Sequence, residues 1–350
     1  MNIKLYMCGK EHPTSENQIG LGYLKTNCTG ANVEIVHNIK DLNDCDMIGL
    51  SATAHGLKEA VDILKSTKIP VIIGGQGTLW EGLQQYDFKH IILGEGERAF
   101  QKIINGTKER IIREPLIENL DVLNFPDRGK CGVTVPMFPT RGCPYNCKYC
   151  SSRAFWKKPR SFSAEYFMRE IDYIIQRYPE AKGISLLDDL FIADKARFLK
   201  IHDIWMKKGL YKRFQLHSYV RATLFTEELG LMMKEMNFGS VRFGAESGSN
   251  RILKLLNKQA TVEDNQRTID IANKIGLPIT AAFIYGIPTE TDEERQMTIN
   301  FIKKNYGKVG RGGWYKFIPY PGTYFYTGEN PLLTNLNFRG NIGKFGLIDW

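Results

Sequence analysis

Short apolar runs alternate with longer segments whose apolar residues recur at helical spacing along most of the chain. In the first third, the runs at 3–7, 33–36, 47–51, 71–74 and 91–93 read as strands, and 57–65 and 98–104 read as helices. Alternation of this kind predicts a parallel sheet with helices on both faces, a small doubly wound domain over 1–108. Pro115, Pro126, Asp127 and Gly129 interrupt any period, so 109–131 reads as a connector; its apolar residues mark it as ordered. The alternation resumes with strands at 134–138, 184–187, 215–219, 241–243, 279–284 and 314–317. Between them lie helices at 164–177, 195–207, 227–236, 262–274 and 293–303, the last opened by a capping-box pair, Thr291 and Glu294. Six such units predict a partial (β/α)6 barrel over 132–327, with its chemistry at the C-terminal ends of the strands. Residues 328–350 read as a C-terminal extension.

Composition narrows the class. The chain has 350 residues, 43% hydrophobic and 24% charged, as in an ordinary globular protein of two domains. It has no apolar run long enough for a membrane helix and no secretory signal pattern, so a cytoplasmic location is expected. The net charge of +9 permits an anionic partner without requiring one, because the charges are spread out.

There are seven cysteines, an odd number that argues against a disulfide framework. Cys143, Cys147 and Cys150 fall together in "TRGCPYNCKYCSS", directly after an expected strand, with C-x3-C-x2-C spacing. Thiolates suit soft metals and iron–sulfur clusters. A four-iron cubane normally takes four cysteines; three can hold three irons and leave one open to an outside ligand. Structural zinc would want a fourth Cys or His nearby, and only Cys131, across a strand, is a candidate.

The three-cysteine spacing, with an aromatic (Tyr149) before the last Cys, resembles the signature of the radical S-adenosylmethionine (SAM) superfamily. The longer "RGCPYNCKYCSSRAFW" resembles its branch with an N-terminal cobalamin-binding domain. The resemblance implies a Rossmann-like, cobalamin-binding-type domain followed by a radical SAM barrel. It also implies that Cys143, Cys147 and Cys150 hold a [4Fe-4S] cluster. Further segments carry SAM in that family. Asp188 and Asp189 would take the methionyl ammonium, unless they cap the following helix, and Arg221 would face the carboxylate. Glu246 and Ser247, in "GAESGS", would hold the ribose hydroxyls, and the Ile284–Tyr285–Gly286 turn would meet the adenine.

In the N-terminal region, "MIGLSATA" and "PVIIGGQGT" resemble the family's cobalamin cradle, which implies contacts from Ser51, Thr53, Gly74, Gly75 and Thr78. Glycine there would let a flat ligand approach. The D-x-H-x-x-G motif that ligates cobalt in other cobalamin domains is missing, and His55 is not at its position. Gly94-Glu95-Gly96-Glu97 is a family hallmark whose local role the sequence does not reveal. The resemblance implies an enzyme that reductively cleaves SAM to a 5′-deoxyadenosyl radical, fed by a flavodoxin- or ferredoxin-like donor, for cobalamin-dependent methylation of an unactivated carbon. A cyclase, oxidase or nucleic-acid-modifying enzyme with a cofactor-free first domain, or remotely a zinc-containing nucleic-acid-binding protein, remains open. The substrate is not legible; the net charge permits an anionic one. The C-terminal aromatics Tyr315, Phe317, Tyr320, Tyr324, Phe325 and Tyr326 read as core and barrel-end packing, with substrate contact as the alternative.

Overall fold

The computed structural model describes residues 1–9, 18–328, 330 and 332. The extension expected over 328–350 therefore lies almost wholly outside the described residues. The described chain divides into two compact units. One comprises Met1–Cys131, Ser151–Phe162 and the described residues from Tyr320 on; the other comprises Gly132–Cys150 and Ser163–Pro319.

The first unit holds six parallel strands: β1 (Asn2–Met7), β2 (Asn32–Ile35), β3 (Met47–Ser51), β4 (Val71–Gly74), β5 (His90–Ile92) and β6 (Ile111–Ile112), in the order β2-β1-β3-β4-β5-β6. Helices α1 (Ile19–Asn27), α2 (Leu57–Ser66), α3 (Gly96–Ile104) and α4 (Ser152–Trp156) complete it. Strand alternation sorts the core into two layers. Ile3, Leu5, Ile72 and Ile92 pack with Leu21, Phe100 and Ile103. Tyr6, Ile48, Leu50, Ile73 and Ile91 pack with Leu57, Val61 and Phe88. Both faces are thus covered, as a parallel sheet requires. The last strand, β6, lies inside 109–131, the segment expected to be an ordered connector without a strand.

The second unit is a six-stranded parallel sheet: β7 (Thr134–Met137), β8 (Gly183–Leu186), β9 (Gln215–Tyr219), β10 (Phe238–Glu246), β11 (Ile279–Tyr285) and β12 (Gly310–Lys316). Each strand pairs with its sequence neighbours, β7 through β12 in order, which is the connectivity of a part-barrel. The crossovers carry α5 (Ala164–Arg177), α6 (Lys195–Lys207), α7 (Glu227–Glu235), α8 (Asn250–Leu255), α9 (Val262–Ile275) and α10 (Asp292–Lys304). Side chains cap the helices where the sequence offers an oxygen. Thr291 and Glu294 exchange hydrogen bonds at the start of α10, and Thr261 and Asp264 do so at α9.

Candidate active site

Cys143, Cys147 and Cys150 lie in the loop after β7. Gly142 opens that loop with φ +81°, a backbone conformation that favours glycine. The Cys150 amide donates to the Cys147 carbonyl (3.1 Å), closing a turn that keeps the thiols near one another. The loop is fastened to the segment after α8: the Lys148 amide donates to the Leu256 carbonyl (2.9 Å), and Asn257 Nδ2 donates to the Asn146 carbonyl (2.8 Å).

The three thiols line one cavity of about 640 Å³ with Tyr149, Asp189, Arg221, Arg242, Gly244, Glu246 and Lys258, among others. Most of these residues come from strand ends that a parallel sheet gathers on one side. Burial pushes the Cys143 thiol up, helped by the Asp189 and Cys147 charges and opposed by the Tyr145 amide and Arg221. Among the described residues no three His, Cys, Asp or Glu side chains converge as around a single ion. A four-iron cubane does not ask them to, since each thiolate takes a separate corner. The donor set, three thiols with no histidine lining the cavity, fits an iron–sulfur cluster.

Arg221 is 7% exposed. Its guanidinium lies 3.5 Å from the centre of the Tyr145 ring, and Nη1 approaches Cys147 Sγ at 3.8 Å. Nε and Nη2, which form the side-on fork of the guanidinium, are enclosed and have no partner among the described residues. That fork matches a carboxylate in two parallel hydrogen bonds, so the orphaned pair fits the methionyl carboxylate of SAM.

Glu246 ends β10 with φ +62°, a costly conformation for a residue with a Cβ. Its Oε1 accepts from Lys258 Nζ (2.7 Å) and from the Tyr149 hydroxyl (2.8 Å), and Lys258 also reaches that hydroxyl (3.2 Å). Glu246 and Lys258 are 6% and 7% exposed. Burial, then the Glu246 charge, holds the Tyr149 phenol well above its ordinary range, so it stays a donor. A side chain at Gly244 would run into the Glu246 carboxylate, and its Cβ would stand 2.9 Å from Lys258 Nζ. Lys258 was missed in the sequence because it stands twelve positions beyond Glu246; only the single short helix α8 between them returns the chain to the cavity.

The two aspartates of β8 separate. Asp189 lines the cavity. Asp188 is enclosed, accepts from the Thr140 hydroxyl (2.8 Å) and is pushed by burial to about 7. Neither caps α6, whose cap is Asp194. Ser247 is also turned away: its hydroxyl stands 3.3 Å from that of Thr298 and accepts from the Ser249 amide (3.1 Å). Ile284 and Tyr285 end β11 beyond the residues of that strand that line the cavity, Thr280–Ala282. The Gly286 amide is taken by Glu290 (2.6 Å), and Gly286 has open space where a Cβ would stand.

In the first unit, a recess of about 400 Å³ lies beside the C-terminal ends of β4, β5 and β6, lined by Thr78, Leu93, Gly94 and Arg113 among others. Thr78 is the one expected cobalamin contact that lines it, with its hydroxyl donating to the Gly75 carbonyl (2.8 Å). Ser51, Thr53 and Gly74 stand half-buried at the ends of β3 and β4. Gly75 has φ +90°, and a Cβ there would fall 2.7 Å from the Ala52 carbonyl oxygen. Its glycine is therefore explained by the loop's own packing. His55 Nε2 is 2.9 Å from the Tyr320 hydroxyl. The Gly94–Glu97 element anchors two neighbouring segments through one carboxylate. Glu95 Oε2 accepts from Arg160 Nη1 (2.7 Å) and from the Ile117 amide (2.8 Å), and Arg160 also donates to the Ile117 carbonyl (2.8 Å).

A parallel part-barrel with a three-thiol loop at the end of its first strand defines a class of iron–sulfur enzyme, and the comparisons with known proteins agree. The radical SAM superfamily matches residues 137–302. An uncharacterized methyltransferase of Pyrococcus horikoshii is 31% identical over 346 residues, covering 87% of this chain and 73% of that protein. An anaerobic magnesium-protoporphyrin IX monomethyl ester cyclase of Rubrivivax gelatinosus is 26% identical, covering 59% of this chain and 39% of that protein. The chain belongs to the radical SAM superfamily and is an enzyme. Its fold is that of the cobalamin-dependent radical SAM proteins. It matches the methyltransferase TsrM of Kitasatospora setae, solved with cobalamin and a [4Fe-4S] cluster bound, at a TM-score of 0.73. That match has 13% identity and covers 92% of this chain and 73% of that one. It matches OxsB, solved with aqua-cobalamin bound, at 0.70, with 17% identity over 86% of this chain and 52% of that one. Among the described residues no helix is long and apolar enough to cross a membrane.

Proposed function

We propose that this enzyme cleaves SAM reductively at a [4Fe-4S] cluster held by Cys143, Cys147 and Cys150, and uses the radical for cobalamin-dependent methylation of an unactivated carbon. One observation carries the SAM reading: the three thiols, the orphaned fork of Arg221, and the carboxylates of Asp189 and Glu246 line a single cavity. Held there by Cys143, Cys147 and Cys150, the cluster would supply the single electron that reductive cleavage of SAM requires.

The chain's own residues orient and enclose. The Nε and Nη2 of Arg221 would grip the methionyl carboxylate, and Asp189 would face the ammonium. Glu246 has Oε1 committed to Lys258 and Tyr149, so its other oxygen is left for a ribose hydroxyl. Asp188 and Ser247 support the wall through Thr140 and Thr298. The strand-end glycines Gly286 and Gly94 leave open space for adenine in one unit and for a flat cofactor in the other. Ser51, Thr53, Gly74 and Thr78 would border cobalamin, with no histidine ligand from the protein. An external flavodoxin- or ferredoxin-like donor would supply electrons.

Two measurements test this. Anaerobically reconstituted protein should bind about four irons per chain and release 5′-deoxyadenosine from SAM, and Cys147→Ala should do neither; full iron and activity in that variant would end the cluster assignment. Equilibrium dialysis with hydroxocobalamin tests the first unit. Gly74→Leu is the clean variant, since its Cβ would meet only Ile92 at an ordinary 3.7 Å while its branch would overlie the strand end. Equal corrin retention by wild type and Gly74→Leu would remove cobalamin from that edge and leave a radical SAM enzyme of another reaction type.

A further inference from the structure

The interior face of β10 carries Ser240, Arg242, Gly244 and Glu246, every second residue, and all four line the cavity. The interior of a parallel barrel is ordinarily filled by bulky branched side chains. Here it is hollow and polar. Arg242 stands in register with Tyr219 of β9 and Thr280 of β11. Towards the strand ends the next rung is Gly244, Ala282 and Gly313, small residues over which the Glu246 carboxylate and the Tyr315 ring lie, so those two side chains bound the cavity above the guanidinium.

Among the charged side chains of the cavity, the cysteines aside, cations outnumber carboxylates. Arg221, Arg242 and Lys258 face two carboxylates, Asp189 and Glu246. Lys258 is bound to Glu246. Arg221 has its fork shaped for the carboxylate of SAM. The backbone of Arg242 is tied into the sheet, its carbonyl accepting from the Val220 amide (2.7 Å), but its side chain makes no hydrogen bond, ion pair or ring contact among the described residues. It is also set back: four residues of strand place its Cα roughly 13 Å from that of Glu246, deeper than the strand-end groups assigned to SAM. Arg242 is exposed to the solvent that fills the cavity, and a ligand that displaces this solvent must offer the guanidinium an anion or strip its hydration without return.

We propose that Arg242 is the specificity-determining residue for the substrate, and that the substrate is a small molecule bearing an oxyanion, a carboxylate or a phosphate. The anion docks on Arg242 with the Thr280 and Ser240 hydroxyls beside it, and the body of the molecule lies over the small-residue rung, between Tyr219 and Tyr315. This proposal rests on the SAM site described above, since the substrate must reach from Arg242 towards the strand ends where SAM is cleaved.

The test uses three probes of one shape on the reconstituted full chain: 1-naphthoate, 1-naphthyl phosphate and the neutral 1-naphthamide. Binding is measured by equilibrium dialysis, with iron content and SAM affinity determined in parallel. At least one anion should bind about tenfold or more tighter than the amide, the range expected for a hydrogen bond to a charged group, and the tighter anion names the class. Arg242→Gln should abolish that preference while leaving amide binding and SAM affinity unchanged, and Arg242→Lys should keep most of it. Should Arg242→Gln fail to take up iron, the comparison of Arg242→Lys with wild type carries the test, and a complete loss of preference there overturns the proposal. No preference for an anion in wild type, or a preference that survives in Arg242→Gln, overturns it. A fall in SAM affinity in that variant also overturns it, by assigning Arg242 to SAM. Failure of the radical SAM reading shows separately, as absent iron or absent SAM cleavage in wild type.

Discussion

Lys258→Met isolates the contact that fixes the Glu246 carboxylate, which is proposed to face SAM. Glu246 Oε1 holds the Lys258 ammonium at 2.7 Å and the Tyr149 hydroxyl at 2.8 Å, in a region where both charged residues are under 10% exposed. Methionine keeps most of the stem volume and removes the charge. A buried ion pair stripped of one partner typically costs about 3–5 kcal/mol, because the other charge is left uncompensated. Tyr149 still donates to Glu246, which places the expected loss near the lower end, about 3 kcal/mol. The positive φ of Glu246 sharpens the effect, since the strained turn is held by the same contacts. Hydrogen exchange in the cofactor-free chain reads the loss locally: amides of 238–258 should exchange about a hundredfold faster, while those of β1 and β3 are unchanged. Adding Glu246→Gln removes the stranded charge, so the double variant should recover about 2 kcal/mol. Strict additivity of the two substitutions, or protection of 238–258 unaltered by Lys258→Met, would refute the coupling.

Arg221→Lys should weaken SAM binding by about tenfold or more, because an ammonium cannot reproduce a side-on bidentate contact; isothermal titration of the cluster-loaded variant measures it, and wild-type affinity would refute the fork assignment. Burial raises the Asp188 carboxyl from 3.8 to about 7. The folded chain thus holds this proton more tightly than the unfolded chain, and stability is lost as pH rises between those values. Asp188→Asn should escape that loss, gaining on wild type by up to about 4 kcal/mol from pH 4 to pH 8 in urea unfolding; a difference that does not change with pH would refute it. In the first unit, Arg160→Met strands the Glu95 carboxylate, whose side chain is 3% exposed, and should cost about 3–5 kcal/mol, with a large share returned on adding Glu95→Gln; denaturation midpoints of the single and double variants decide it.

Much of this protein was determined by local pattern. The period of apolar residues fixed strands 47–51, 71–74 and 215–219 and helices 164–177 and 195–207 to the residue, because a strand or helix with a buried face must repeat its apolar positions at two or near four. The cysteine spacing likewise carried its chemistry, since three thiols so close in the chain cannot be far apart in space. Features that depend on long-range return of the chain were not legible. Strand β6 has two residues, too short for any period, and exists because β5 offers an edge to pair with. Sequence proximity did not divide Asp188 from Asp189, or Glu246 from Ser247; strand alternation and the bend at Glu246 send one of each pair to the cavity and the other to the wall. Lys258 and Arg242 carry no motif. They became site residues only when a short helix turned one back onto Glu246 and a strand face turned the other inward, and both are decisions of packing, which local sequence does not encode.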